Sequence, residues 1–225
     1  MDGEYYHVFN RGVEDSRVFH GQADFLRALV SLAAFNSPEK APTNLSRFVK
    51  DPHKLVKYLR KESRAELVNI VAFTLLPTHF HLFVREAHED GIPTLMHKFC
   101  KGYARYFNLK NDREGALWRG TYQASHVKTK EHFSHILSYV HLNVLDLYQE
   151  DWRRGDVKNW TSAKRKLANY PWSSYGYYRN THRRLPVGIF QLMLTQPEWL
   201  REQYPEPKCF ENALKHWAMR NIVTK

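Results

Sequence analysis

The sequence has 225 residues, with 34 Lys and Arg against 23 Asp and Glu, and therefore a net charge of +11. This length is enough for one domain with a true hydrophobic core. The positive balance favours a polyanionic partner such as nucleic acid, although a merely soluble basic protein has the same charge. Two cysteines are too few for a disulfide framework. Because the N-terminus lacks a basic leader and no apolar run reaches membrane-spanning length, we expect a cytoplasmic protein without a membrane partner.

The first third of the chain predicts one strand and two helices. Residues 5–10 predict a first strand, and Arg11-Gly12 closes it. Apolar residues at helical spacing predict a helix over 22–36. We expect a loop over 37–50, followed by a short basic helix that opens at Asp51-Pro52, because Asp is a good N-cap and Pro fits the first turn.

The central third predicts three more strands and two more helices. A strand pair is expected over 67–85, a helix from 91 to about 109, a strand over 121–128 and a helix over 131–147. The order strand, helix, strand, strand, helix, strand predicts an α+β fold with a ferredoxin-like antiparallel sheet of the βαββαβ type. We expect helices on one face of this sheet and a site on the other.

The remaining chain is basic and rich in tryptophan, and it predicts two further helices near 186–203 and 208–222. We therefore expect a catalytic domain over 1–148 with an insertion at about 37–64. Residues 149–225 are expected to form a helical extension packed on that domain.

The segment Pro77–His81 is a tight turn followed by a His-x-His pattern on a strand. Side chains alternate along a strand, so His79 and His81 point to one face while Phe80 points to the other. Two imidazoles on one face can hold a metal ion. The alternative is a pair of hydrogen-bonded or solvated histidines without a metal.

The helix over 131–147 has a polar stripe formed by His135, Tyr139 and Asn143, four residues apart. A tyrosine and a carboxamide one turn apart can both approach a metal held by the histidines. The alternative is a buried tyrosine with a paired hydroxyl and an asparagine that serves as a local cap.

Several basic and aromatic residues are candidates for nucleic-acid contacts. The helix over 91–109 has one cationic face, for which the alternative is a solvated surface, and two tyrosines that either stack on bases or belong to the core. Other candidates lie at the ends of the first and fourth predicted strands. The cationic face consists of Lys98, Lys101 and Arg105, the tyrosines are Tyr103 and Tyr106, and the strand-end candidates are Asn10, Arg11, Arg119 and Lys128.

Three segments together resemble the single-tyrosine HUH transposases of the insertion-sequence-200-like family. They are Leu76–Leu82, Leu117–Tyr122 and Tyr139–Asn143. The chain is most similar to the branch associated with repetitive extragenic palindromes, which Tyr6–Gly12 and Trp172–Tyr175 also match. The family usually has proline directly after the asparagine, where this chain has valine.

The resemblance implies a role for each residue of the constellation. His79, His81 and Asn143 would bind Mg²⁺ or Mn²⁺, and Tyr139 would be the nucleophile that forms a 5′-phosphotyrosine intermediate. The expected substrate is single-stranded DNA with hairpin elements. The protein would act as a monomer or homodimer and associate with the nucleoid.

Two other functions remain compatible with the sequence. One is a domesticated hairpin DNA- or RNA-binding protein that does not cleave. The other is a metal-dependent phosphohydrolase that uses the histidines and a water molecule.

Overall fold

A computed structural model describes residues 4–40, 42–60, 65–179 and 193–219 of the chain. Four strands form one antiparallel sheet in the order β2-β3-β1-β4. The strands are β1 (Tyr5–Arg11), β2 (Val68–Leu76), β3 (His79–Glu86) and β4 (Gln123–Val127). This strand order is the ferredoxin-like arrangement, so the predicted α+β fold is confirmed.

The described helices agree with most of the sequence predictions. They are α1 (Gln22–Phe35), α2 (Ser46–Lys50), α3 (Pro52–Leu59), α4 (Gly91–Lys110), α5 (Lys130–Leu142), α6 (Trp160–Asn169), α7 (Tyr175–Tyr178), α8 (Glu198–Gln203) and α9 (Pro207–Met219). Three 3-10 segments lie at Val13–Asp15, Asn143–Leu147 and Glu150–Arg154. None of the helices in the described part of the chain has the length and apolar character needed to cross a membrane.

Three boundaries differ from the sequence predictions. The loop expected over 37–50 contains α2, because Phe48 is buried and gives that short turn an apolar anchor. The helix expected over 131–147 ends at Leu142 and continues as a 3-10 segment from Asn143. Of the helix expected over 186–203, residues 186–192 lie outside the described part, and α8 begins only at Glu198, after Pro197.

Side-chain caps start the helices where the sequence suggests. The Asp51 carboxylate accepts a hydrogen bond from the His53 backbone N–H, and the Thr129 hydroxyl accepts one from the His132 N–H. Each cap satisfies one of the backbone donors that the first helical turn leaves unpaired. The second cap fixes where α5 starts, and therefore the position of every side chain along it.

The two faces of β3 contact different hydrophobic clusters, as strand alternation predicts. Phe80, Leu82 and Val84 pack in the cluster that contains α1 and α4. Phe83 packs on the other side, in a cluster with α5 and the C-terminal helices. The histidines of β3 share the face of Phe83.

The expectation of one uncovered sheet face is wrong over most of the sheet. Tyr5 and Phe83 pack against Phe133 of α5, with ring centres 5.0 and 4.5 Å from the Phe133 ring. Helices α6, α7 and α9 extend the same cluster. The uncovered part is at the C-terminal end of β1 and the N-terminal end of β3, and this is where the predicted site residues lie.

Candidate active site

A cavity of about 450 Å³ lies at this uncovered end of the sheet. Strands β1 and β3, helix α5 and the segment that follows α5 all contribute to its wall. Its lining residues are His7, Phe9, Asn10, Arg11, His79, His81, Tyr139, Asp146 and Arg153. The two strand histidines and the tyrosine predicted from the sequence are therefore brought together in one cavity.

The turn between β2 and β3 is held in place by the chain that follows β1. The Gly12 N–H donates to the Thr78 carbonyl over 2.8 Å, and the Val18 N–H donates to the Pro77 carbonyl over 2.8 Å. A Cβ at Gly12 would lie 2.3 Å from the Ser16 carbonyl oxygen, so only glycine fits there. These contacts fix the start of β3 and therefore the position of His79.

His79 has one engaged and one free ring nitrogen. Its Nδ1 is hydrogen-bonded to the Thr78 hydroxyl at 2.9 Å. Its Nε2 is buried and has no hydrogen-bond partner among the described residues. Burial lowers the pKa of His79 to about 4, so the imidazole is neutral at neutral pH. A buried ring nitrogen without a partner is costly unless something binds it.

His81 is oriented by a histidine that the sequence did not indicate. His81 Nδ1 lies 2.9 Å from His7 Nε2, and the two rings stack with centres 5.1 Å apart. The Phe9 ring stacks on His7 with centres 5.0 Å apart and also lies 5.7 Å from the His81 ring. Burial lowers the pKa of His81 well below its ordinary value and that of His7 to about 4. Both imidazoles are therefore neutral, and the His7 contact leaves His81 Nε2 available.

His7 was missed because its role depends on strand pairing. It sits on β1, two positions before Phe9, and Phe9 pairs with His81 across the sheet. The alternation of β1 places His7 and Phe9 on one face, and this is visible in the sequence. The register that brings them to His81 is not.

Tyr139 closes the cavity from α5. Its ring meets the rings of His7 and His81 edge-on, each at 5.6 Å. Its hydroxyl oxygen accepts a hydrogen bond from Arg153 Nη1 over 2.6 Å. The predicted nucleophilic oxygen is thus held by a cation.

Asn143 is fully buried just beyond Tyr139 and does not line the cavity. Its side-chain N–H donates to the Tyr139 carbonyl over 2.6 Å. Its Oδ1 accepts from Arg153 Nη2 over 2.8 Å. These two bonds fix the amide so that the oxygen, and not the nitrogen, faces Arg153.

The ring nitrogens of His79 and His81 and the side-chain oxygen of Asn143 are the atoms that could coordinate a divalent cation. Both strand histidines have Nδ1 engaged and are neutral, so each can offer Nε2, which is the usual arrangement of metal-binding histidines. Asn143 Oδ1 has a second lone pair beside its bond to Arg153. The described ranges contain no cluster of three or more His, Cys, Asp or Glu side chains suited to a metal ion. Two imidazoles and an amide oxygen are groups that can bind Mg²⁺ or Mn²⁺. The metal site stays a prediction, because Asn143 does not line the cavity.

Two of the predicted DNA-contact residues line the cavity, and a third is bonded to one of them through the backbone. Arg11 and Asn10 line it, and Asn10 is tied to the next segment because its side chain donates to the Gly120 carbonyl over 3.1 Å. The Arg119 N–H donates to the Arg11 carbonyl over 2.9 Å, so the exposed Arg119 is adjacent to Arg11. Lys128 is exposed beyond Val127, which pairs with Tyr5 at the opposite end of β1.

The cationic face of α4 lies across the sheet from the cavity. Lys98 Nζ donates to the carbonyls of Ser37 and Glu39 over 2.6 and 2.9 Å, while Lys101 and Arg105 are exposed. The structure does not bring these three together with the histidines.

The hypothesis that Tyr103 stacks on bases is wrong. Tyr103 is fully buried in the core, and its hydroxyl donates to the Val18 carbonyl. Tyr106 is partly buried, and its hydroxyl donates to the Asp24 carboxylate, which also receives Lys110. Both tyrosines stabilise the packing of α4 instead.

Two further polar residues of the cavity, Asp146 and Arg153, were not singled out from the sequence. The Asp146 carboxylate accepts from Arg153 and from the Trp152 indole N–H. The sequence gave no sign that these two residues form an ion pair. The contact exists only because the chain turns back after Leu147.

The fold and the cavity thus define a ferredoxin-like α+β protein that presents a His-x-His strand to a helical tyrosine. Residues 46–143 match a family model described as "Transposase IS200 like", and this segment includes both strand histidines, Tyr139 and Asn143. The match covers just under half of the chain and confirms the resemblance to insertion-sequence-200-like transposases.

One similar solved structure is described as "Structure of the REP associates tyrosine transposase bound to a REP hairpin". The two chains are 14% identical, with a TM-score of 0.48 over 87% of this chain and 86% of that chain. No curated protein matches the chain.

Proposed function

We propose that this protein is a transposase that cleaves and rejoins single-stranded DNA, with Tyr139 as the nucleophile and Mg²⁺ or Mn²⁺ as the cofactor. The observation that carries the proposal is the shared cavity. Tyr139 lies edge-on to His81, and the buried Nε2 of His79 has no partner among the described residues. A neutral imidazole nitrogen without a partner can bind a metal ion, and a metal ion in the cavity that Tyr139 lines would assist attack on a phosphate.

The chemistry is a transesterification. The Tyr139 oxygen forms a bond to the phosphorus, the bond from phosphorus to the 3′-oxygen breaks, and the released 3′-hydroxyl takes up a proton while the phenol gives one to solvent. A divalent cation bound to His79, His81 and Asn143 would supply charge neutralisation for the phosphate oxygens. A phenolate is a better leaving group than an alkoxide, so the phosphotyrosine bond stays reactive toward another 3′-hydroxyl.

The surroundings of the cavity suit a single strand. Arg11 and Arg119 form a basic rim for phosphate contacts. Edge strand β4 is open beside the cavity: Gln123 and Ser125 are exposed and pair with Phe9 and His7. A strand can therefore approach along the sheet edge, and we infer that hairpin elements beside the cleavage position guide it.

The first prediction concerns the covalent intermediate. Incubation with a single-stranded DNA hairpin and Mn²⁺ should give a denaturant-resistant protein–DNA adduct and a free 3′-hydroxyl. Tyr139→Phe keeps the ring and its packing on His7 and His81 but removes the attacking oxygen, so the adduct should disappear while DNA binding remains. Tyr148→Phe is the control, because Tyr148 is exposed outside the cavity and its variant should form the adduct normally. Gel electrophoresis of labelled DNA measures both.

The same experiment separates the alternatives. An adduct that persists in Tyr139→Phe would assign the nucleophile to another residue. Cleavage by the unmutated protein without any adduct would favour a phosphohydrolase, and hairpin binding without cleavage would favour a domesticated binding protein.

A further inference from the structure

The guanidinium of Arg153 contacts the candidate nucleophile Tyr139, although Arg153 lies outside the segment 46–143 that matches the family model. Its Nη1 donates to the Tyr139 oxygen over 2.6 Å, and its guanidinium carbon lies 5.3 Å from the centre of the Tyr139 ring. The matched segment ends at Asn143, whose Oδ1 accepts from Arg153 Nη2 over 2.8 Å. One side chain therefore touches both the nucleophilic oxygen and the third predicted metal ligand.

The guanidinium is fixed in this position by Asp146. The Asp146 carboxylate accepts from Arg153 Nε over 3.1 Å and from Nη2 over 2.6 Å, and it also accepts from the Trp152 indole. Such a forked pair holds the plane of the guanidinium as well as its charge. Burial lowers the pKa of Arg153, but the bonds to Asp146 and Tyr139 outweigh this and leave the pKa above its usual value. Arg153 is therefore a permanent cation in the wall of the cavity.

In the described part of the chain, one N–H group of the Arg153 guanidinium is free to bind a substrate. A guanidinium has five N–H groups. One of them, on Nε, goes to Asp146, two on Nη2 go to Asn143 and Asp146, and one on Nη1 goes to Tyr139. The second N–H of Nη1 has no partner within the described ranges, and Arg153 lines the cavity. The free donor is on the nitrogen next to the reacting oxygen.

We propose that Arg153 is a catalytic residue of the transesterification, held in place by Asp146. This inference depends on the proposed function of Tyr139. During cleavage the phenolic oxygen gains a bond to phosphorus and the 3′-oxygen leaves. During joining the incoming 3′-hydroxyl gives its proton to solvent, its oxygen bonds to phosphorus, and the phenolate leaves with the electron pair. The Arg153 Nη1 stabilises the negative charge on the phenolic oxygen in both directions, and its free N–H donates to a phosphate oxygen.

The second prediction compares neighbouring arginines. Arg153→Gln should slow single-turnover adduct formation about 100-fold or more, in the range found when one preorganised donor to a developing anion is removed. Arg153→Lys keeps the charge but not the fork and should be slowed less. Arg154→Gln is the matched control, because Arg154 is exposed and pairs with Asp151. Hairpin affinity, measured in the Tyr139→Phe background, should change less than threefold in every variant.

A substituent at Tyr139 distinguishes charge stabilisation from a structural effect. Difluorotyrosine at position 139 withdraws electrons and stabilises the same charge that Arg153 is proposed to stabilise. In the joining step, where the phenolate leaves, fluorination should recover part of the rate lost in Arg153→Gln and should accelerate the unmutated protein less. Thermal melting of each variant checks folding, and Arg153→Lys with difluorotyrosine decides the question if Arg153→Gln does not fold.

Each outcome supports or overturns the inference. Equal rates in Arg153→Gln and Arg154→Gln, faster adduct formation in Arg153→Gln, or a lost rate that fluorination does not recover would each overturn it. If the unmutated protein forms the adduct but the Arg153 variants do so equally well, only this inference fails. If the unmutated protein forms no adduct, the proposed function fails and the inference fails with it.

Discussion

At the scale of single residues, the candidate metal site depends on hydrogen bonds to the far side of each imidazole. Thr78 contacts Nδ1 of His79, and His7 contacts Nδ1 of His81. In the tautomer in which Nδ1 donates this hydrogen bond, the Nε2 lone pair is free for a metal. The two partners differ in origin, because Thr78 is adjacent in sequence while His7 comes from a strand 74 positions away.

The third prediction tests the role of His7. His7→Phe keeps a flat ring packed on Phe9 and His81 but removes the hydrogen bond to His81 Nδ1, so Mn²⁺ affinity should fall about 10- to 100-fold. Isothermal titration calorimetry without DNA measures this directly. His126→Phe is the control: it removes a histidine from β4 on the opposite sheet face, where it stacks on Tyr6, and its Mn²⁺ affinity should stay unchanged. Equal Mn²⁺ affinities of His7→Phe and the unmutated protein would remove His7 from the metal site.

The candidate residues that the sequence predicted are those whose relative placement follows from local periodicity. His79 and His81 share a face because strands alternate, and Tyr139 and Asn143 share a helical stripe because they are one turn apart. His7, Asp146 and Arg153 were missed because each depends on a contact between elements. No local pattern shows that β1 lies beside β3 or that the chain turns back after Leu147.

At the scale of elements, the end of α5 positions the candidate nucleophile. The Thr74 hydroxyl on β2 donates to the Val140 carbonyl over 2.7 Å, directly after Tyr139 in the chain. The helix then changes to a 3-10 segment at Asn143, where Val144 occupies the usual place of proline. This 3-10 segment carries Asp146, which lines the cavity.

The fourth prediction compares two basic elements. Replacing Arg11 and Arg119 by Gln should weaken single-strand binding and lower the slope of log affinity against log salt by about 1.4, since each phosphate contact on a single strand contributes about 0.7. Lys101→Gln with Arg105→Gln is the matched pair and tests the sequence prediction for α4. We expect a smaller change, because α4 packs on the other face of the sheet. Fluorescence anisotropy at several salt concentrations decides between them, and a larger effect of the α4 pair would move the DNA path to that face.

At the scale of the whole molecule, the sheet separates two hydrophobic clusters. One contains α1 to α4, and the other joins α5 to α6, α7 and α9 of the C-terminal half. The sequence showed this half as basic and rich in tryptophan but gave it no role. Within the structure, Phe210 of α9 and Tyr178 of α7 pack on His141 of α5, with ring centres 5.3 and 5.1 Å from the imidazole. The helix that carries Tyr139 therefore rests on the C-terminal half of the chain.

His141 makes this packing sensitive to acid. It is fully buried, its Nδ1 donates to the Leu137 carbonyl, and its Nε2 contacts the Ser174 hydroxyl. Burial lowers the pKa of His141 to about 3, against about 6.5 in an unfolded chain. Below pH 6.5 the unfolded state therefore binds a proton that the folded state does not bind. The stabilising contribution is complete above that pH and is lost progressively as the pH falls toward 3.

The fifth prediction follows from this difference in proton binding between the folded and unfolded states. The free energy of unfolding of the full chain should fall by about 1.4 kcal/mol per pH unit for each such histidine between about pH 6 and pH 4. His7 and His79, whose pKa values burial also lowers to about 4, add to the slope. His141→Gln should be less stable at pH 7.5 but should have a slope shallower by one proton, measured by urea unfolding at several pH values. Tyr175→Phe is the control from the same cluster, because burial raises the pKa of Tyr175 to about 12 and its loss should leave the slope unchanged. An unchanged slope in His141→Gln would show that His141 does not make the packing of α5 on the C-terminal half sensitive to acid.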